Sequence, residues 1–318
     1  MRALIVTNMW PTPAAPARGS FVRDQVNALR ELDGVDVDVF AFPPGGYLRA
    51  ARDVRRRHGA TTYDVVHAHF GLTAWPALAL RGAPHVVTLH GTDLRHPRSR
   101  MITRAALPLV DLVAAVSAEL ARELPGAGER RRVAVLPCGV DVDRFAPMPR
   151  AEARRRLGLD PGEPCLLFPA DPGRSAKRFD RAREVAGATR LLTLGDVDPA
   201  DVPLRVNAAN AVLVPSDHEG FGLAVLEALA CDVPVLATPV GNHPAALDAV
   251  DGVLCAAYDR DGWRAALEPH LRAADPRIDG RDRAALWSAR RMASRVIEAW
   301  GEVLRLPVEA PRSGALSA

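Results

Sequence analysis

The sequence predicts an α/β protein of two doubly wound parallel sheets facing a cleft. Three observations predict it. Short apolar runs alternate with segments of helical spacing through both halves, the order that builds parallel sheets. The length of 318 residues suggests about two domains. The stretch 146–149, with Pro147 and Pro149, interrupts the pattern near the middle and marks a boundary. The expected organisation is one domain over 1–146, a second over 150–285, a long helix over 286–306 and a loose tail over 307–318.

Composition narrows the function classes. Hydrophobic content of 48% and charged content of 25% are ordinary for a soluble globular chain. A net charge of +3 is too small to argue for nucleic acid, and 5% aromatic content disfavours a base-stacking platform. Cys138, Cys165, Cys231 and Cys255 are widely spaced, which points to reduced thiols in a cytoplasmic protein rather than zinc or disulfides. The apolar start at residues 3–7 is too short for a signal peptide, and no run approaches a membrane span.

In the first half, residues 3–7 read as a buried strand. A loop from Asn8 to Gly19, rich in proline, follows and is longer than a plain strand-to-helix connection. From Phe21, the apolar positions Val22, Val26, Leu29 and Leu32 recur at helical spacing, with Ser20 placed to cap. Residues 35–42 form a second strand. Residues 47–59 form a helix with Arg49, Arg52, Arg55, Arg56 and Arg57. Such a helix suits an anionic membrane surface or a solvated face, and its apolar side is thin (Tyr47, Leu48, Val54). The segments 64–69 and 85–93 each read as a strand followed by a turn, and they carry His67-Ala68-His69 and His90-Gly91-Thr92-Asp93. No carboxylate or thiol completes a metal set with His67 and His69, so zinc is not expected. His67 reads better as a hydrogen-bonded core residue. Four arginines between 95 and 104 could meet an anionic acceptor or solvent. Strands at 111–117 and 132–137 complete this half.

In the second half, a short basic helix (150–157) precedes a strand at 164–169. The loop after it carries Gly173, Arg174 and Lys177, which suits a diphosphate: arginine grips phosphate oxygens in pairs and lysine adds a point charge. Further strands are expected at 191–195, 211–214, 233–238 and 252–255. Helices follow at 263–271 and 283–304, the latter with Trp287, Met292, Val296, Ile297 and Trp300 at helical spacing. No G-x-G-x-x-G follows a strand, which disfavours a dinucleotide oxidoreductase.

The chemistry centres on Ser216-Asp217-His218-Glu219-Gly220-Phe221-Gly222-Leu223-Ala224-Val225-Leu226-Glu227. A buried strand enters it and a helix beginning at Leu223 leaves it, with Gly220 and Gly222 at the join. Free N–H groups and the positive dipole end of that helix suit a phosphate. Glu219 and Glu227 are eight residues apart. On a helix that separation returns to within about 80° of one face over about 12 Å, so a carboxylate can meet hydroxyls at each end of a ligand.

This stretch resembles the E-x7-E signature of retaining glycosyltransferases of family 4, which have the GT-B architecture. The resemblance implies that Glu227 binds the ribose of a nucleotide-sugar donor and Glu219 faces the donor sugar. Gly220, Phe221, Gly222 and Leu223 would cover the diphosphate. Gly19 would lie in the cleft, and His90 near the donor sugar with Asp93 in the same loop. Lys177 matches a phosphate-binding lysine of the family. Arg174 stands in for an arginine whose usual place holds Pro172. Cys138-Gly139-Val140-Asp141 is similar to a family segment with asparagine first, and Ala245 stands where a glutamate is common. The interval after residue 195 is about one strand–helix unit short, which implies a reduced second domain. The segment 19–29 resembles a bacterial subgroup of teichuronic-acid-type polysaccharide transferases. The implied activity is metal-independent, with no cofactor, and moves a sugar to a glycan or lipid-linked acceptor. The implied setting is cytoplasmic, at or near the inner membrane face, with the final helix packing across both domains. Rival expectations are a binding homologue without activity, a nucleotide-sugar epimerase and a phosphorylase.

Overall fold

The computed structural model describes residues 1–124, 133–195 and 197–305, and the expected tail at 307–318 lies outside them. The first lobe contains β1 (Arg2–Thr7), β2 (Asp36–Ala41), β3 (Val65–His69), β4 (His85–Leu89), β5 (Leu112–Ala115) and β6 (Val133–Val135). All pair in parallel, in the order β2-β1-β3-β4-β5-β6. Between them run α1 (Ser20–Arg30), α2 (Tyr47–His58), α3 (Ala74–Ala77), α4 (Thr92–Arg95), α5 (Pro97–Ala106) and α6 (Ala118–Arg122).

The second lobe opens with α7 (Arg150–Arg156) and carries β7 (Cys165–Phe168), β8 (Arg190–Thr193), β9 (Ala211–Val214), β10 (Val235–Ala237) and β11 (Leu254–Cys255). These strands are also parallel, in the order β11-β10-β9-β7-β8. Its other helices are α8 (Phe179–Ala186), α9 (Val202–Ala208), α10 (Leu223–Ala230), α11 (His243–Leu247), α12 (Arg260–Arg272) and α13 (Arg281–Ala285). The chain ends on α14 (Ala289–Arg305). Two parallel sheets with five strands in the second against six in the first match the expected GT-B class with a reduced second domain.

The strands are legible as apolar runs because both faces are buried. On β1, Ala3 and Ile5 join a core with α1 and α14, while Leu4 and Val6 join a core on the opposite face. That second core continues into the other lobe through Val140, Phe145, Phe221, Val212 and Val214. The central strands lie between two apolar layers, whereas the edge strand β2 keeps Asp36 and Asp38 on one side.

Two local expectations are corrected. Ser20 does not cap α1; it is the first helical residue. Gly19 takes the cap position in a left-handed conformation (φ 64°), with no side-chain bond. The helix expected over 283–304 is broken at 286–288. Trp287 O accepts from Val140 N at 2.9 Å, and Val140 O accepts from Ala289 N at 2.8 Å. This exchange diverts the backbone, so α13 packs on α10 and α14 on α1. The buried face of α14, including Met292, Val296 and Trp300, therefore belongs to the first lobe's core, and the crossing between lobes lies at the break.

The basic helix α7 is anchored to the second lobe through its arginines. Arg150 is buried and donates to the carbonyls of Ala209 (3.0 Å) and Pro276 (2.9 Å). Arg154 is buried and donates to Ala208 O (3.0 Å) and Asn210 Oδ1 (2.6 Å). Planar guanidinium groups here close otherwise unpaired carbonyls. All four cysteines are free.

Candidate active site

In each sheet the strand order reverses once: between β1 and β3 in the first lobe, and between β9 and β7 in the second. Ligands of open α/β sheets collect at the carboxyl ends of strands beside such a reversal. The loops there are Asn8–Gly19 and the His69 end of β3, and across the cleft the segments 169–178 and 215–222.

The second lobe's loop after β9 is held from several sides. Asp217 N donates to Ala176 O (2.9 Å), Asn242 N to Phe221 O (2.8 Å) and Thr238 Oγ1 to Ser216 O (2.6 Å). The Phe221 side chain is buried in the core that spans both lobes. Gly222 has φ +102°, and a Cβ there would stand 2.3 Å from His243 Nε2. Gly220 meets the other lobe: a Cβ would stand 2.1 Å from the His90 carbonyl oxygen. Neither position can carry a side chain without moving the backbone. Leu223 opens α10, and the first α10 amide with a backbone partner is Val225 N, which donates to Gly222 O (3.3 Å). The earlier amides remain as donors at the positive end of the helix.

Glu219 is 8% exposed and paired. Lys177 Nζ lies 2.6 and 2.7 Å from its two carboxylate oxygens, and Ser216 Oγ donates to Oε1 at 2.7 Å. Burial works against its charge, but the Lys177 ammonium outweighs burial and holds the pKa below the usual value. Lys177 was expected on a diphosphate; here it closes on the carboxylate expected to face the sugar. The structure brings these two residues together.

Glu227 lines a cavity of about 690 Å³ between the lobes. Ala17, Arg18 and Ser20 face it from the first lobe, and Arg174 and Gly195 from the second. Arg174 is exposed and thus available to a ligand there. Burial pushes the Glu227 carboxyl up to about 7, with Asp24 adding to the rise and Arg144 opposing it. Arg144 sits in the connection between the lobes and donates to Asp24 Oδ2 (3.0 Å). Gly19 caps the helix beside this cavity, on the first-lobe side.

His90 is anchored at the rim of the first lobe. The buried Asp93 carboxylate accepts from the backbone N–H of His90 (3.1 Å), Gly91 (2.8 Å) and Gly71 (3.2 Å). The His90 ring lies 4.8 Å from Phe21 and its Nε2 lies 3.1 Å from His69 Nδ1. His67 is a fully buried core residue bonded to Thr88 Oγ1 (2.7 Å) and Trp300 Nε1 (3.1 Å). With both ring nitrogens so engaged it cannot also ligate a metal. Among the described residues, no three His, Cys, Asp or Glu side chains form a metal-ligating group.

Three residues at this site were missed in sequence. His243, fully buried, backs Gly222; its Nδ1 bonds Thr238 O (2.8 Å) and its Nε2 has no partner. Glu119 Oε2 accepts from Gly241 N (2.6 Å), joining the two lobes. His69 carries His90. None has a local signature, since each acts on a residue that is remote in sequence or on the opposite lobe.

Comparison with known proteins places these features. A family model described as Glycosyltransferase Family 4 matches residues 42–144, and one described as Glycosyl transferases group 1 matches residues 170–272. The chain is 33% identical over 292 residues to a D-inositol 3-phosphate glycosyltransferase of Actinosynnema mirum, covering 72% of this chain and 69% of the relative. A protein of the same name from Geodermatophilus obscurus is 30% identical over 275 residues, covering 68% of this chain and 61% of the relative. Among solved structures, a sucrose-phosphate synthase from Thermosynechococcus elongatus superposes with a TM-score of 0.74 at 19% identity, over 95% of this chain and 99% of that one. Anabaena HepE in complex with UDP and glucose gives 0.71 at 17% identity, over 94% and 99%. At such identities the structures speak for the fold alone.

Proposed function

This chain belongs to the family 4 glycosyltransferases, and from that premise we propose that it transfers a sugar from a nucleoside-diphosphate donor, a UDP-sugar, to a hydroxyl acceptor with retention at the anomeric carbon. One observation carries the donor reading: Glu227 faces the interlobe cavity, with Arg174 on the same wall and the first lobe's Arg18 and Ser20 opposite. The uridine choice is carried over from the UDP bound to Anabaena HepE. The ribose hydroxyls donate to the Glu227 carboxylate. The early N–H groups of α10, at Gly222 and Leu223, take the phosphate oxygens, with Gly220 and Phe221 shaping the turn. Arg174 and Lys177 offset the charge that grows on the leaving diphosphate, so no metal is needed for it. Lys177 then exchanges part of its contact with Glu219 for phosphate, which frees carboxylate oxygens for the sugar hydroxyls. His90 meets the same sugar from the first lobe. The site offers no side chain that must form a covalent intermediate; the departing phosphate assists same-face attack, and contact between the lobes excludes water.

The acceptor reading is a glycan or lipid-linked precursor at the inner membrane face. Its support lies on α5. Met101 (69% exposed) and Ile102 project from this helix, and Leu109 just beyond it, beside Arg98, Arg100 and Arg104. No carboxylate occurs between 94 and 110. On α2, by contrast, Leu48 is the one exposed large hydrophobic. An apolar and cationic strip suits an anionic bilayer surface. Among the described residues no helix is long and apolar enough to cross a membrane. The relatives named above carry inositol 3-phosphate in their names, and a phosphorylated polyol is the competing acceptor.

Slow hydrolysis of UDP-, GDP- and ADP-sugars tests the donor reading. Release of free sugar with its anomeric configuration retained, from a UDP-sugar first, is expected. No turnover of any donor and no nucleotide binding would favour the inactive homologue, for which Ala245 and the smaller second sheet speak. Co-sedimentation with phosphatidylglycerol vesicles, reduced by Met101→Glu, checks the membrane reading.

A further inference from the structure

Three histidines, His67 and His69 on β3 and His90 just past the end of β4, run from the core to the cleft. His67 stands at the inner end. Trp300 Nε1 can only donate, so His67 Nδ1 accepts and the ring proton sits on Nε2, donating to Thr88 Oγ1. His67 stacks on His69 with ring centroids 4.6 Å apart at 25°. His69 in turn meets His90 edge to edge: the ring centroids are 5.3 Å apart at 28°, and His69 Nδ1 lies 3.1 Å from His90 Nε2. Burial pushes the His69 ring down to about 3 and His90 well below the usual value, so both are neutral and one proton lies between them.

That proton has two possible owners. If His90 donated it, His69 would carry its own proton on Nε2, which is fully buried and has no partner. An orphaned buried N–H is the arrangement proteins avoid most. If His69 donates from Nδ1, its Nε2 is only an unpaired acceptor. His90 must then hold its proton on Nδ1, the nitrogen turned away from His69.

We infer that His69 is a positioning residue for the transfer: by donating from Nδ1 to His90 Nε2, it fixes His90 as a hydrogen-bond donor through Nδ1 toward a sugar oxygen in the cleft. Asp93 fixes the His90 backbone, Phe21 one side of its ring and His69 the proton. Without His69 the ring could adopt either tautomer and more than one rotation, and a donor held about 1 Å off can cost on the order of 100-fold in rate. The inference rests on the proposal that His90 meets the donor sugar.

The test uses two substitutions of His69. The side-chain amide of asparagine reaches the place of Nδ1–H, whereas leucine fills the buried space without a donor. H69N should keep kcat within about 3-fold, while H69L should lower it by about 10- to 100-fold with UDP affinity unchanged. A packing role predicts the reverse order, because leucine suits a buried apolar site better than asparagine; that order would overturn the inference. H90A separates the two layers. Unchanged kcat in H90A would end the reading of His90 and this inference with it. A damaged H90A with H69L no worse than H69N would end the inference alone. Should a variant fail to fold, nitrogen-15 spectra of the unaltered protein decide: a proton on His90 Nδ1 is expected, and one on Nε2 contradicts it.

Discussion

The two rims that face each other across the cleft handle charge in opposite ways. Around His90 the first lobe presents a neutral patch, while its Arg18 lines the cavity beside Glu227. His67, His69 and His90 are held uncharged by burial, and the one carboxylate beside them, Asp93, is covered by three backbone N–H groups. The second lobe presents Lys177, Glu219, Arg174 and Glu227, with two of them already paired to each other. A sugar needs directed hydrogen bonds and little field; a diphosphate needs cations and main-chain donors. The division of labour is written into the two loop sets, and the lobes touch where Gly220 meets His90.

The largest effect should come from that contact. Gly220→Ala places a Cβ 2.1 Å from the His90 carbonyl oxygen. Either the lobes part or the loop shifts, and transfer should fall more than about 100-fold, since a 1 Å displacement of a site already costs that much. Steady-state kinetics beside small-angle scattering tells the two apart. Near-normal kcat would mean the neutral and charged walls need not meet.

Lys177→Ala comes next, with two readouts. UDP affinity should fall by about 10- to 100-fold while uridine affinity holds, as expected for a lost charge-assisted bond to phosphate. Equal losses for both would argue against a diphosphate role. The variant also strands the Glu219 carboxylate, 8% exposed, and should unfold about 3 kcal/mol more easily. Adding Glu219→Gln should return part of that stability.

A smaller effect follows pH. The Glu227 carboxyl stands near 7 without ligand. Ribose hydroxyls donate to the charged form, so UDP affinity should rise as pH increases through about 7 and weaken below it. Glu227→Gln should flatten that profile. His67, His69 and His90 are held neutral by burial throughout this range, so no opposing trend is expected from them. The smallest effect belongs to Trp300→Phe, which deletes the donor to His67 and should cost about 1 kcal/mol of stability with little change in UDP binding.

How far the sequence could be read follows the range of the forces involved. Strands such as Ala211–Val214 and His85–Leu89 stand out because parallel strands buried on both faces are continuous apolar runs. The turn at Gly220 and Gly222 and the two glutamates form one local segment, so their neighbourhood was legible. Strand order was not, because the place of β7 between β8 and β9 is a property of crossovers rather than residues. The helix break at 286–288 depends on Val140, far away in sequence. The burial of Arg150 and Arg154 depends on carbonyls of residues 208–209, and a basic run alone reads as solvated. The pairing of Lys177 with Glu219 and of His69 with His90 likewise joins separate loops that each looked complete.

On the proposed function, the interlobe cavity beside Glu227 holds the ribose of a nucleoside diphosphate. Calorimetric titration of the protein and of Glu227→Ala with UDP measures this most directly. One-to-one binding to the protein is expected, with at least about a 10-fold weaker affinity for the variant, the loss of a hydrogen-bonded charged group. No heat with UDP, or equal affinity for both proteins, would contradict it.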